Sequence, residues 1–500
     1  VTGRANGGSW IVGTAGTRAD SARVTVTQQA VRLDLTPRAD TLNALGDTIA
    51  FTARALDRND QPVSGVALTW TASNPLRMIR PGVFVSRTNG LATVTVSGGG
   101  FTQTATVLNR QVPATITLRS GTLIVNDTVP LNPARARQLA IVEEVADSNA
   151  VRVDVSARPA ATITPAGAIA AGSQAVIAAA PGGGTATVQI GAATGTAQFD
   201  VVAFDSVAAG DDHGCGLTTG GDVYCWGAGF NQPLPSPAGR PRKVNLPGRA
   251  TAITSDCALL QNGTVYCGLA GTPAPWTGVP AMASLTEGCA LTASGTAYCQ
   301  DADRVVRPLA GYTFVQVSQR SEAPNGPPLE RCGLQANGQV VCWTPGGTPA
   351  PLAGGHTFRR IDLGRWMSCG ITTDGRLLCW GYLYGDGAPV LVSASLGLVT
   401  LEVEYANACG LRADGALFCW GSDGVIEWDP GVAVAPAPKW PTLRFTDYSV
   451  GLVGFTSTTG MAALECGVAD GTLWCSGGDL RSNVGRTGGP GLAGRVMSPF

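Results

Sequence analysis

Fourteen cysteines constrain this chain more than any other feature, because all of them lie after residue 214 and fall into seven successive pairs. The pairs are Cys215/Cys225, Cys257/Cys267, Cys289/Cys299, Cys332/Cys342, Cys369/Cys379, Cys409/Cys419 and Cys466/Cys475. Six have a spacing of ten with a turn signal midway, such as Thr373-Asp374-Gly375 or Ala413-Asp414-Gly415. That pattern predicts a hairpin with a three-residue loop whose glycine takes the left-handed conformation, so that the cysteines stand opposite each other. The last pair is one residue closer, and its turn, Asp470-Gly471, is the dipeptide favoured in two-residue type I′ hairpins. Shorter spacing and shorter turn compensate, so Cys466 still faces Cys475, and directly opposed residues at about 4.5–5.5 Å are within disulfide reach.

Metal ligation is the competing use of paired cysteines. A zinc site wants close cysteine pairs or added histidines, and the chain has no Cys-x-x-Cys and only His213 and His356. The even count leaves no odd cysteine as a reactive thiol. Seven disulfides, no metal and no cofactor are therefore expected, in an oxidising compartment: extracellular or at the cell surface.

Each pair sits in a longer unit of apolar strand, first cysteine strand, turn, second cysteine strand, variable loop and a further short strand, and four strands per unit is the texture of a propeller blade. Phe204 to Gly210, then His213-Gly214-Cys215-Gly216-Leu217, then Asp222-Val223-Tyr224-Cys225-Trp226-Gly227 resemble the repeat of the regulator-of-chromosome-condensation family. The pattern returns at Cys332-Gly333-Leu334 with Val341-Cys342-Trp343, at Cys369-Gly370-Ile371 with Leu378-Cys379-Trp380-Gly381, and at Cys409-Gly410-Leu411 with Phe418-Cys419-Trp420-Gly421. The resemblance implies a toroidal seven-bladed β-propeller over residues 203–500, with loops gathered on two faces. It also implies that Trp226, Trp343, Trp380 and Trp420 pack between blades and that His213 is structural. Trp is missing after Cys267, Cys299 and Cys475, so irregular or partly absent outer strands are expected in those units. Asp211-Asp212 read as loop residues. Founding members of the family are intracellular nucleotide-exchange factors and chromatin binders, a role that does not transfer to a cysteine-paired chain without a basic tail. Bacterial relatives on this architecture include secreted inhibitors that cap an enzyme with one propeller face.

Before the first cysteine the texture changes. Ile49, Phe51, Ala53 and Ala55 alternate with polar or small neighbours, as sandwich strands do. The run Pro62-Val63 through Val66-Ala67-Leu68-Thr69-Trp70, with Gly90 to Val96, resembles the bacterial group 2 immunoglobulin-like domain. The expected division is an immunoglobulin-like β-sandwich at 29–112, a degenerate second one at 113–202, and only the closing strands of another at 1–28. The chain opens at Val1 without a charged-then-apolar leader and is expected to be a mature product or part of a longer precursor. Two explanations of the first strands stay open: a longer string of such domains, or strands donated to a neighbouring molecule.

Charge and motifs narrow the function. The formal net charge is −1 and lysine occurs only at Lys243 and Lys439, so nucleic acid is not an expected partner. Ala168 to Ala180, the most Ala-rich stretch, is broken by Gly172, Ser173 and Gln174, and no run approaches the ~20 apolar residues of a membrane helix. No nucleophile elbow, His-Glu-x-x-His or phosphate loop occurs, and Glu402 and Glu404, alternating on a strand, are expected to share a solvated face. The all-β chain is thus read as a non-enzymatic interaction protein, a stalk presenting a propeller to a protein or glycan, from a bacterium of high-GC composition. Trp428 and Trp440, outside the repeated position, are the candidate contacts. The alternative is a filament or surface-layer subunit that binds copies of itself.

Overall fold

The computed structural model describes residues 6–131, 140–154, 161–210, 213–227, 241–301, 304–320, 329–404, 406–422, 433–453, 462–476 and 494–495. These residues are all-β, relieved only by a 3-10 turn at Tyr382–Tyr384. From Phe204 onward the strands form seven consecutive four-stranded antiparallel sheets, each in chain order, which is β-propeller architecture. The first sheet runs Phe204–Ala209, His213–Thr218, Val223–Gly227 and Arg242–Lys243. Outer strands of two or three residues are present where the repeated tryptophan is missing, at Ala274–Pro275, Val306–Pro308 and Gly494–Arg495. They are as short as the outer strand of the tryptophan-bearing first sheet, so strand length does not follow that residue.

In each sheet the second and third strands bring the cysteine pair into direct register and bond it, with Cα separations of 4.0–4.1 Å. The turns have the expected chemistry: Gly375 and Gly415 take φ of 89° and 77°, while Asp470 and Gly471 both have positive φ, as a type I′ turn demands.

The glycine after the first cysteine has a separate cause. A Cβ on Gly216 would stand 2.6 Å from the Phe204 ring, and one on Gly467 would stand 2.5 Å from Phe445; Gly333 meets Phe314 and Gly370 meets Phe358 in the same way. Each aromatic starts the innermost strand or lies just before it and crosses its own sheet. Where the second and third sheets carry Ala250 and Met282 at that place, the glycine is replaced by Ala258 and Ala290. In four sheets ring and glycine are therefore one packing unit, while in the sixth Gly410 is kept against Leu398 and Thr400 O.

Ahead of the propeller lie two sandwich-like units. In the first, strands of three sheets face a common core of Leu33, Leu35, Phe84, Val94, Val96 and Val107. The alternating segment around Phe51 changes sheets at that residue: Thr48–Ala50 pairs with Val83–Ser86, and Thr52–Leu56 pairs with Arg32–Thr36. One strand thus ties two sheets together. The second unit repeats the layout around Leu123, Ile141, Val176, Val188 and Phe199. Residues Gly7–Ala15 and Arg18–Val26 form a hairpin with no third strand among the described residues, and Trp10 on it is 62% exposed.

Polar joints connect these units. Asp147, 1% exposed, accepts hydrogen bonds from Leu45 N and Gln111 Nε2, both at 2.9 Å, and from Asn149 N and Val151 N in its own turn. Asn149 Nδ2 returns to Leu45 O and Asp47 Oδ1. Burial pushes the Asp147 carboxyl up, but these donors outweigh it and hold it below the usual range. Asp57 in the first unit repeats the arrangement with Asn59 N, Gln61 N and Gln28 Nε2. At the next junction Asn126 Nδ2 donates to Thr472 Oγ1, Thr472 Oγ1 donates to Val125 O, and Ile124 enters the same core as Phe204 and Leu473.

Candidate functional site

The seven innermost strands decide what the propeller can present. Each packs beside the innermost strand of the next sheet, and that of the last sheet, Asp447–Val453, packs beside that of the first. An innermost strand is paired within its sheet along one edge only, so its other N–H groups need partners. Side chains of the preceding sheet supply them. Gln316 Oε1 accepts from Ile361 N at 3.1 Å and Ser318 Oγ accepts from Leu363 N at 3.0 Å. Asp362 Oδ2 accepts from Val403 N at 2.6 Å. Asp447 Oδ2 and Ser449 Oγ accept from Val207 N and Ala209 N, at 2.9 and 3.0 Å, and so join last sheet to first.

Carboxylates enclosed by these strands lose hydration. Burial raises Asp447 to about 6, although it accepts backbone N–H groups and feels the Arg360 charge. Burial also raises Asp362 and Glu287, and it raises Glu402 well above the carboxylate range, with the Asp362 charge adding to the effect. Glu402 and Glu404 are half-buried and alternate with the buried Val403, so they share the partly solvated side of the strand, where hydration of Glu402 is reduced.

The repeated tryptophans lie in the cores between sheets. Trp226 is 1% exposed, Trp343 stacks on Phe314 at 5.5 Å, Trp380 packs on Phe358 at 5.9 Å, and Trp420 joins Leu398, Leu401 and Val403. His213 is buried with its Nε2 2.7 Å from Ser255 O, bridging the first two sheets. Trp440 is half-buried against Phe445 and Tyr448, with ring centroids at 5.5 and 6.3 Å, beneath Lys439. Trp428 and Asp211-Asp212 lie outside the described residues. A grouping of potential metal ligands, Glu330 with Cys332 and Cys342, has both sulfurs joined in a disulfide.

An aromatic group absent from the sequence reading stands in the fifth sheet. Trp366 meets Tyr382 edge to face at 5.4 Å, the Arg365 guanidinium lies over the Trp366 ring at 5.8 Å, and Tyr382 is 53% exposed. Trp366 precedes the second strand and Tyr382 follows the third, and in a meander those connections leave from the same end. The hairpin turns between second and third strands leave from the other end. It is there, at Gly471-Thr472, that the sandwich unit docks. A lone tryptophan in a short loop carried no repeat signal, and its tyrosine partner is sixteen residues away.

The family profile of the Regulator of chromosome condensation (RCC1) repeat matches residues 204–232, the start of the first sheet and its cysteine hairpin. No curated protein sequence matches the chain. Among solved structures, Prp20p from Saccharomyces cerevisiae is 18% identical, with 59% of this chain and 76% of that one covered and a TM-score of 0.34. The CRINKLY ectodomain of the Arabidopsis thaliana receptor kinase ACR4 is 20% identical, covering 54% and 97%, with a TM-score of 0.37. PorZ, a surface component of the type-IX secretion system of Porphyromonas gingivalis, is 12% identical, covering 55% and 42%, with a TM-score of 0.36. No helix among the described residues is long and apolar enough to cross a membrane.

Proposed function

We propose that this chain is a non-enzymatic extracellular or cell-surface interaction protein, in which immunoglobulin-like units form a stalk and a seven-bladed propeller binds a protein or glycan. The observation that carries this reading is the polarity of the propeller. Its turn face is occupied by the sandwich at Asn126 and Thr472, while the opposite face bears the exposed Tyr382 packed on the half-buried Trp366. Exposed aromatics beside an arginine are the residues that dominate binding surfaces. Asp362 and Asp447, two of the raised carboxyls, are committed to backbone N–H groups. Seven disulfides suit an oxidising exterior.

Electron microscopy of the purified chain, combined with a panel of immobilised glycans and surface proteins, tests the reading. Discrete stalked particles and saturable binding that Trp366→Ala weakens are expected. Binding that instead maps to the Asp470-Gly471 turn face overturns it. A second reading, a self-assembling filament subunit, rests on the hairpin Gly7–Ala15/Arg18–Val26, whose Trp10 and Val12 are exposed and whose edges lack partner strands among the described residues. Regular fibres lost on deleting residues 1–28 would establish that alternative.

A further inference from the structure

We infer that the groove between the first two sheets is a binding site for an acidic sugar, a hexuronate residue of a glycan, held through Arg242. This rests on the reading of the propeller as a ligand-binding module and names one of its ligands. The cavity has a volume of about 590 Å³, the size of a small-ligand pocket. His213 and Trp226, at the strand ends where the first-to-second and third-to-fourth connections leave, contribute to its wall.

Its charge is one-sided. Arg242 and Lys243 line it, and no carboxylate does among the described residues. Lys243 is held by Asp222, which lies outside the cavity, through a 2.8 Å ion pair. Arg242 is exposed and has no ion pair or hydrogen-bond partner for its side chain among the described residues. A guanidinium with no partner among the described residues, on a wall that carries no carboxylate among them, attracts an anion, and its planar fork matches a carboxylate with two parallel hydrogen bonds. The rest of the wall is not a phosphate cradle. It offers the Asn245 amide and the Thr272 hydroxyl to ligand hydroxyls and the half-buried Tyr266 ring to an apolar face. One carboxylate, several hydroxyls and one C–H face on a single ring describe a hexuronate.

Calorimetric titration of the full chain with a hexuronate trisaccharide, its neutral hexose counterpart and an acidic hexapeptide tests the site. Saturable binding of the uronate alone is expected, weakened at least about ten-fold by Arg242→Ala. Arg242 is exposed, so the variant should melt with the wild type, and that is checked alongside. Absence of uronate binding, equal binding of the neutral sugar, preference for the peptide, or indifference to Arg242→Ala each overturns the inference. If uronate binding is lost in Trp366→Ala and kept in Arg242→Ala, the site is wrong while the binding-module reading stands. If the chain binds nothing on the wider panel and forms fibres, both fall.

Discussion

Asp447 closes the ring at the cost of holding a charge where hydration is poor. Its Oδ2 accepts from Val207 N, yet burial lifts its pKa to about 6, with Asp362, Glu402, Glu287 and the tempering Arg360 in the same enclosure. A carboxyl whose folded pKa is raised binds its proton more tightly in the folded state. Its contribution therefore favours the fold below the ordinary carboxylate range and is lost as pH rises through about 6. Asp447→Asn keeps an oxygen for Val207 N and removes the charge. The variant should melt higher than wild type at pH 7.5 and no higher at pH 4.5, by thermal scans at matched ionic strength. An equal shift at both pH values would mean that Asp447 is ionised throughout and that its enclosure is better hydrated than its burial implies.

At the scale of the element, the cysteine register was readable from sequence because turn length and turn residue type fix which residues oppose each other. The glycine after five of the seven first cysteines was visible as a motif, but its cause was not. Phe358 is twelve residues from Gly370 and meets it only when the innermost strand folds across the second. Gly370→Ala would bring Cβ to 2.6 Å from Phe358 Cε1, and overpacking of this kind costs about 1–3 kcal/mol. Adding Phe358→Ala should recover part of that loss, so denaturant unfolding of the four-member cycle should show coupling; strict additivity would dissolve the packing unit. The disulfides act differently, by restricting the unfolded chain. Replacing Cys369 and Cys379 together by Ala opens an eleven-residue loop, given their separation of 10, and should cost about 3 kcal/mol on the chain-entropy estimate. A denaturation midpoint that does not move would show that the hairpin holds its register without the bond.

For the whole molecule, the change from cysteine-free to cysteine-paired strands was legible while the way the sheets are joined was not. Trp366 and Tyr382, like Arg242 and the wall it faces, come from segments whose meeting depends on which end of a sheet each loop leaves. No local pattern encodes that. The joints are hidden for the same reason: Asp57-Arg58-Asn59 and Asp147-Ser148-Asn149 look like ordinary turns until Gln28 and Gln111 arrive from the preceding connections. Asp147 is the pin between the two sandwich units, since one buried carboxylate serves both the Asn149–Val151 turn and Leu45 of the other unit. Removing it leaves Leu45 N without its acceptor and takes from Gln111 Nε2 one of its two, the other being Arg152 O; a buried donor left unmade costs about 1–3 kcal/mol, which water can relieve only if the joint opens. Asp147→Ala should therefore loosen the stalk without unfolding it. Small-angle scattering should give a broader distribution of interatomic distances, with a larger spread in overall length, while circular dichroism retains the strand signal. An unchanged scattering curve would shift the rigidity to the apolar contacts and leave the carboxylate as a turn former alone.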